Sequence, residues 1–219
     1  MSDTTIKAAL FDLDGVLVST DRFHYEAWKR MADEEGIYFD YEINHRLRGV
    51  SRMQSLEIIL ERAEREIAQA EKDTMAERKN NYYRELIGTL TPADWLPGGR
   101  DLVEGLRARG IRCALCSSSK NAKTILDKIG GRDLFDTIVD GHDIVNTKPD
   151  PEIFLTAAER LSIDPAACVV FEDAESGVEA AKAARMKCIG IGDEANLAKA
   201  DIAKPGVAEV TVAEVCSLG

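Results

Sequence analysis

Residues 7–15 read Lys7-Ala8-Ala9-Leu10-Phe11-Asp12-Leu13-Asp14-Gly15, an apolar segment that leads directly into two aspartates and a glycine. Side chains alternate along a strand, so Asp12 and Asp14 begin on the same face, and a parallel strand of an α/β sheet directs its carboxyl end towards the ligand crevice. Two carboxylates there suit a metal ion, or divide the roles of nucleophile and proton donor. An acidic turn or part of a calcium-binding loop is the alternative at this point.

The rest of the chain alternates between short apolar runs and helical patterns. The runs lie at residues 7–11, 111–116, 137–139, 168–171 and 187–191. This alternation predicts an α/β fold, a Rossmann-like doubly wound parallel sheet with helices on both faces. The stretch between the first and second runs has amphipathic helical patterns but no convincing strand, so we expect an inserted α-helical cap domain (lid). The expected division is a catalytic core of residues 1–16 and 93–219 and a cap of residues 17–92.

The composition indicates an acidic protein whose partners are not polyanions. The 219 residues include 28 Lys and Arg against 39 Asp and Glu, a formal net charge of −11. Nucleic acid and anionic membrane surfaces both favour clustered positive charge, so neither is expected as a partner. No apolar run approaches the about 20 residues of a membrane span, and no basic segment precedes a hydrophobic stretch at the N-terminus. We therefore expect a cytoplasmic protein.

Four of the five cysteines lie in or beside apolar runs, which favours buried free thiols over disulfides. Cys113 and Cys116 have the spacing of a zinc-binding pair. No second pair follows in the sequence, however, and a strand places the two side chains on opposite faces. We interpret Cys113, Cys116, Cys168 and Cys188 as core residues.

One apolar stripe in the predicted cap recurs at spacings of three and four and predicts a helix with Met53, Leu56, Ile59, Leu60, Ala63 and Ile67 on one side. Ser51 and Gln54 form a capping-box pattern at its start. Arg52 then lies in the first turn, where a cation opposes the helix dipole unless an anion binds. The helix start with Arg48 and Arg52 suits a phosphate, and a solvated arginine is the alternative.

Three later segments also place polar groups where a strand is predicted to end. Ser117-Ser118-Ser119-Lys120-Asn121 suits a phosphate, or simply caps a helix. Thr147-Lys148-Pro149-Asp150-Pro151 keeps Lys148 out of a helix interior, either to neutralise a phosphoryl group or as an ordinary solvated lysine. Glu172-Asp173 suits a hard cation such as magnesium, or starts a helix.

The order of these groups, acids then hydroxyl then lysine then acids, resembles the haloacid dehalogenase superfamily of phosphotransferases over essentially the whole chain. The resemblance implies that Asp12 attacks phosphorus and becomes an aspartyl phosphate, while Asp14 is the general acid and base. It implies that Ser117 and Lys148 hold the transferring phosphoryl group. The cofactor it implies is Mg²⁺, and the implied metal ligands are the Asp12 carboxylate, the Asp14 backbone carbonyl, Glu172 and Asp173.

The predicted cap resembles the β-phosphoglucomutase family within this superfamily, on the segment Arg48-Gly49-Val50-Ser51-Arg52-Met53-Gln54 and its surroundings. This resemblance implies that Arg52 holds the phosphate that is not being transferred. It also implies that His24 and Lys79 couple closure of the cap to the position of Asp14. The substrate-binding residues it implies are His24, Trp28, Gly49, Val50, Ser51, Arg52, Lys79, Ser119, Lys120 and Asn121.

The implied reaction interconverts β-D-glucose 1-phosphate and D-glucose 6-phosphate through phospho-Asp12, with β-glucose 1,6-bisphosphate as intermediate and activator. The alternatives are a Mg-dependent sugar-phosphate phosphatase, a mutase of a related aldose phosphate, and a magnesium or phosphosugar sensor without activity. The expected partner is a small sugar phosphate, and the expected state is a monomer. Ser19, Arg48 and Ala174 depart from residues that relatives often carry, and His45 and His142 have no role that their surroundings indicate.

Overall fold

The structure, a computed structural model, describes residues 5–47 and 50–219. The chain divides into two compact units. Met1–Ser19 together with Leu90–Gly219 form one, which we call the core unit, and Thr20–Thr89 form the other, which we call the cap unit. The division predicted at residues 17 and 92 is close to these bounds, and the assignment of a catalytic core and a lid stays a prediction.

The core unit is built on a six-stranded parallel sheet in the order β3-β2-β1-β4-β5-β6. Its strands are β1 (Ala8–Phe11), β2 (Arg112–Cys116), β3 (Thr137–Val139), β4 (Cys168–Glu172), β5 (Lys187–Ile191) and β6 (Ile202–Lys204). This confirms the predicted fold class. The edge strand β6 was missed, because three half-buried residues before a proline give no apolar run.

Nine α-helices lie in the described residues. In chain order they are α1 (Asp21–Glu34), α2 (Tyr41–His45), α3 (Arg52–Leu60), α4 (Gln69–Ile87), α5 (Gly99–Ala108), α6 (Ala122–Lys128), α7 (Glu152–Leu161), α8 (Glu175–Ala183) and α9 (Val212–Cys216). In the part of the chain that the structure describes, no helix is both long enough and apolar enough to cross a bilayer.

The sheet is covered on both faces, as expected for a doubly wound fold. Residues of α7 and α8 pack with Ala114 and Cys116 in one buried cluster. The side chain of Cys113, which precedes Ala114 in β2, points the other way, towards α5, where its sulfur lies 3.9 Å from the carbonyl of Val103. The two cysteines therefore face opposite sides of β2, and all five cysteines are free thiols.

The register of the sheet brings the segments predicted to carry the function to one edge. Phe11, the last residue of β1, pairs with Leu115 on one side and Phe171 on the other. Because parallel strands end at the same edge, the residues that follow these three strands lie close together. Asp12, Ser117 and Asp173 all lie there.

The described part of the cap unit is helical and has its own apolar cluster, to which α1, α3 and α4 contribute. Helix α3 is shorter than predicted and ends at Leu60. Ala63 and Ile67 lie in the connection to α4, so the predicted single stripe was wrong beyond Leu60. Ile67 is nevertheless buried in the same cluster. The apolar spacing in the sequence therefore extends beyond the end of the helix.

Candidate active site

Lys148 joins two of the predicted acidic segments. Its Nζ donates to Asp12 Oδ1 at 2.5 Å, to Glu172 Oε1 at 3.2 Å and to the carbonyl of Cys116 at 3.4 Å. Only 8% of its side chain is exposed. The alternative of a solvated surface lysine is thus wrong, and the ends of β1, β2 and β4 share one ammonium group.

The charges at this edge shift the pKa values strongly. Burial alone would lower the pKa of Lys148, but the charges of Asp12 and Glu172 outweigh it and raise that pKa above its ordinary value. Burial raises the pKa of Glu172 well above its usual range, although Lys148 acts in the opposite direction. Burial, followed by the charge of Asp12, raises the pKa of Asp173 to about 7. The single ammonium group of Lys148 therefore does not neutralise the negative charge that Asp12, Glu172 and Asp173 would carry together.

Three of these carboxyl groups could hold a metal ion. One ligand atom from each of Asp12, Glu172 and Asp173 lies within 4.8 Å of the other two. The second oxygen of Glu172, Oε2, is buried and has no hydrogen-bond partner among the residues that the structure describes. A buried carboxylate oxygen is costly without a partner, and hard divalent cations prefer oxygen ligands. The chemistry of this cluster therefore fits a divalent cation.

Asp14 lies in a tight turn directly after this cluster. Its neighbour Gly15 has φ of 76° and donates its backbone N–H to the carbonyl of Val18. A Cβ at Gly15 would lie 2.0 Å from Asp173 Oδ2. The turn that presents Asp14 therefore needs a glycine both for its left-handed backbone and for the space that Asp173 occupies.

The serine loop after β2 is stabilised by its own hydroxyl groups. Ser117 is buried, and its Oγ accepts the backbone N–H of Ser119. The Oγ of Ser119 in turn accepts the backbone N–H of Asn121, which precedes α6. Lys120 is exposed. The loop thus lies at the same edge as Asp12, and Asn121 makes no side-chain cap bond to α6.

In the cap unit, the structure brings together four of the predicted substrate-binding residues. Lys79 Nζ lies 2.9 Å from Nδ1 of His24 and 4.7 Å from the ring centre of Trp28. Lys79 is buried, and burial together with the charge of Arg52 lowers its pKa to about 7. Burial, then the charges of Lys79 and Arg52, lowers the pKa of His24. This cluster of basic groups favours a bound anion.

Arg52 and its surroundings begin α3 as predicted. Ser51 and Gln54 form the expected capping box, and no acidic residue lies in the first turn. Arg52 donates to Asn80 Oδ1 at 2.8 Å, and its Nη1 lies 3.9 Å from Oε2 of Glu77. Val50 and Ser51 are exposed. The predicted sites Gly49 and Arg48 lie outside the described residues.

Tyr83 belongs to this cap cluster but was not singled out from the sequence. Lys79 Nζ lies 4.9 Å from its ring centre, its ring stacks on His24 at 4.1 Å, and its hydroxyl pairs with Thr20. Tyr83 follows Lys79 by four residues on α4, a spacing that places two side chains on one face of a helix. That spacing was the available signal.

Comparisons with known proteins agree with this architecture. A family model described as haloacid dehalogenase-like hydrolase matches residues 6–185. The chain is 43% identical over 209 residues to a beta-phosphoglucomutase of Bacillus subtilis, covering 94% of this chain and 92% of that one. It is 34% identical over 218 residues to a phosphorylated carbohydrates phosphatase of Thermotoga maritima, covering 97% and 98%. A crystal structure of beta-phosphoglucomutase from Clostridium difficile superposes with a TM-score of 0.88 at 40% identity, covering 96% and 95%.

The parallel sheet with carboxylates and a lysine at its carboxyl edge places the protein among the α/β enzymes. Within that class, the chain belongs to the haloacid dehalogenase-like hydrolase family. Its relatives include both a sugar-phosphate mutase and phosphatases of phosphorylated carbohydrates.

Proposed function

We propose that the protein is a phosphotransferase that interconverts β-D-glucose 1-phosphate and D-glucose 6-phosphate. The observation that carries this proposal is the basic cluster of the cap unit, with Lys79 buried and Arg52 half-buried, in addition to Lys148 in the core unit. A mutase handles a bisphosphorylated sugar and has to bind two phosphates, whereas hydrolysis of a monophosphate requires one. The 43% identity to a protein named beta-phosphoglucomutase supports the same conclusion.

In this proposal Asp12 is the nucleophile. A bond forms from its carboxylate oxygen to phosphorus while the bond from phosphorus to the sugar oxygen breaks. Lys148 pairs with Asp12 and, with Ser117, holds the transferring phosphoryl group. Asp14 protonates the departing sugar oxygen, and later takes the proton of the sugar hydroxyl that attacks phospho-Asp12.

The proposed cofactor is Mg²⁺. Its ligands would be the Asp12 carboxylate, the Asp14 carbonyl, Glu172 and Asp173, and the buried unpartnered oxygen of Glu172 supports this assignment. When bound, the ion neutralises negative charge on the phosphoryl group and on the acids around it.

The cap unit contributes to the same reaction. Phospho-Asp12 first donates to the C6 hydroxyl of β-glucose 1-phosphate, and the resulting β-glucose 1,6-bisphosphate then returns its C1 phosphate to Asp12. Arg52 therefore binds either phosphate in successive half-reactions. His24 and Lys79 couple closure of the cap to the position of Asp14. The other proposed contacts to the bisphosphorylated sugar come from Trp28, Gly49, Val50, Ser51, Ser119, Lys120 and Asn121.

The proposal is tested by supplying β-D-glucose 1-phosphate with Mg²⁺ and a trace of β-glucose 1,6-bisphosphate. Glucose 6-phosphate and free phosphate are then measured in the same reaction. We expect glucose 6-phosphate to form faster than phosphate is released. The Asp12→Asn variant keeps the shape of the side chain but lacks the nucleophile, so both products should disappear while its circular dichroism spectrum stays unchanged. Full turnover by that variant contradicts the assignment of Asp12.

A sugar-phosphate phosphatase is the second candidate, because the 34% identical relative is named as a phosphatase. A mutase of a related aldose phosphate uses the same nucleophile. Rapid phosphate release with negligible glucose 6-phosphate would select the phosphatase. Isomerisation of another aldose phosphate in preference to the glucose phosphate would select the related mutase.

A further inference from the structure

Lys148 lies in a loop whose other residues are largely outside the protein core. Between β3 and α7 the chain forms turns only, and Val145, Asn146 and Thr147 are exposed. Val145 has 89% of its surface exposed although it is apolar. Ile144 packs against the apolar core, but the three residues after it do not. Lys148, which follows them, nevertheless places its ammonium group between Asp12 and Glu172.

The side chain of Glu152 holds the exposed segment. Its Oε1 accepts the backbone N–H of Val145 at 2.9 Å, and its Oε2 accepts that of Asn146 at 2.7 Å. Both carboxylate oxygens are thus used on two consecutive peptide groups. These bonds lower the pKa of Glu152 and keep it ionised, and a charged acceptor makes stronger hydrogen bonds than a neutral one.

Glu152 is itself fixed to the core unit. It is the first residue of α7, and the next two residues, Ile153 and Phe154, are completely buried. Its backbone N–H donates to Asp150 Oδ1 at 2.9 Å, and the backbone N–H of Asp150 donates to the carbonyl of Thr147. The loop is therefore bonded to the start of α7 on both sides of Lys148.

We propose that Glu152 is a positioning residue that fixes the loop of residues 145–147 and, through it, the ammonium group of Lys148 at Asp12. This inference rests on the proposed function for the role of Lys148. The carboxylate of Glu152 bonds to the backbone of the loop rather than to the proposed nucleophile Asp12. It acts by fixing the position of the backbone that leads into Lys148. A displacement of about 1 Å at a reacting group can cost up to about a hundredfold in rate.

The test uses Glu152→Gln, which keeps the size of the side chain and its place in α7. One acceptor oxygen becomes an NH₂ group that faces a backbone N–H, so one of the two bonds is lost. Glu159→Gln is the matched control, because Glu159 lies on the same helix and is exposed. The shorter Glu152→Asp is a second variant that keeps the charge but not the reach.

Two readouts separate positioning from a general loss of stability. In Glu152→Gln we expect kcat to fall about 10- to 100-fold, with KM for the sugar phosphate and the thermal midpoint close to those of the wild type. Amide hydrogen exchange should speed up in residues 144–148 but not in α7. Glu159→Gln should change neither kcat nor the exchange rate in residues 144–148. Both quantities for Glu152→Asp should lie between those of the wild type and of Glu152→Gln.

An unchanged kcat, or an unchanged exchange rate in residues 144–148, overturns the proposal. Equal acceleration of exchange in α7 also overturns it, since Glu152 would then merely stabilise the helix. The kcat comparison uses whichever phosphoryl-transfer activity the wild type shows with sugar phosphates. Failure of the mutase assignment is therefore seen in the products of the wild type, and failure of this inference is seen in the variants.

Discussion

Gly177 makes room for the buried carboxylate of Glu172. A Cβ at this position would lie 1.5 Å from Glu172 Oε1 and 2.1 Å from its Cδ. Gly177 lies in the first turn of α8, so the carboxyl group of Glu172 lies against the start of that helix. The positive end of the helix dipole favours an anion there. The space for one acid of the proposed metal site is therefore provided by a residue that has no side chain.

Replacing Gly177 by alanine should weaken Mg²⁺ binding. The added methyl group occupies the place of the Glu172 carboxylate, and changes beside a metal ligand typically cost about 10- to 100-fold in metal affinity. Isothermal titration of the variant with Mg²⁺, in the absence of substrate, measures the effect. Gly206→Ala is the control, because a Cβ there meets no atom within 4 Å. Equal affinity in Gly177→Ala and the wild type contradicts this role.

The site acids could be predicted from the sequence because they follow strand-like runs, and Lys148 could be predicted because it directly precedes a proline-rich turn. The burial of Lys148 could not be predicted in this way. Its partner Asp12 lies 136 residues earlier in the chain, and only the register of β1 with its neighbours brings the two together. Glu152 and Gly177 escaped notice for the same reason, since what they contact depends on the folded loop or helix.

At the scale of elements, helices α1 and α4 pack around a buried lysine, Lys79. Helix α1 provides His24 and Trp28, and α4 provides Lys79 and Tyr83. A lysine normally marks the solvated face of an amphipathic helix, but Lys79 is only 3% exposed. In the part of the chain that the structure describes, no carboxylate forms an ion pair with it. Pattern reasoning places such a residue outside, so only the family resemblance indicated Lys79.

Replacing Lys79 by methionine should stabilise the ligand-free protein at neutral pH and below. Burial, with Arg52 also nearby, lowers the pKa of Lys79 to about 7 in the folded state from its ordinary value of 10.5. The unfolded chain therefore holds this proton more tightly, and protonation disfavours folding at low pH. Since one pKa unit corresponds to about 1.4 kcal/mol, the variant should gain about a few kcal/mol at pH 6.

The pH dependence of that gain is the sharper measurement. Wild-type stability should rise relative to Lys79→Met as the pH increases from about 7 towards 10, because the folded protein has already lost the Lys79 proton. The neighbouring groups His24, Arg52 and Tyr83 are present in both proteins, and burial, the largest cause of the lowered His24 pKa, acts in both. Urea unfolding of the two at several pH values gives the difference. A constant difference across that range refutes the assigned burial of charge.

The ends of elements were harder to predict than their existence. The capping box at Ser51 correctly marked the start of α3, because Ser51 and Gln54 bond to each other's backbone locally. The end of α3 at Leu60 carried no comparable local signal. Apolar spacing continues to Ile67 because that side chain also packs into the cap cluster, from a connection rather than from the helix.

At the scale of the whole molecule, the fold shields four of the five thiols from solvent and from thiol reagents. Cys113, Cys116, Cys168 and Cys188 are completely buried, whereas Cys216 in the last helix is exposed. Burial raises the pKa of Cys113, Cys168 and Cys188 to about 12. Thiolate is the reactive form, so these thiols are doubly protected. The prediction that the strand cysteines are core residues agrees with their positions in the sheet.

A thiol reagent such as dithionitrobenzoate should therefore titrate one cysteine in the native protein and five after unfolding. The single fast reaction should disappear in Cys216→Ser. Thermal stability should be the same in that variant, because the exposed thiol contributes little packing. Rapid reaction of more than one thiol in the native protein would show that the sheet opens on the timescale of labelling.

The central position of β1 also has a consequence for synthesis of the chain. This strand is made first, yet its two neighbours in the sheet begin at Arg112 and Cys168. Residues 20–89, which build their own apolar cluster, leave the ribosome before either neighbour, and long before β4. Contacts between distant parts of a chain form late. The helical unit can therefore fold first, while β1, which leads to the proposed nucleophile Asp12, has no neighbouring strand to pair with until Arg112–Cys116 have been made.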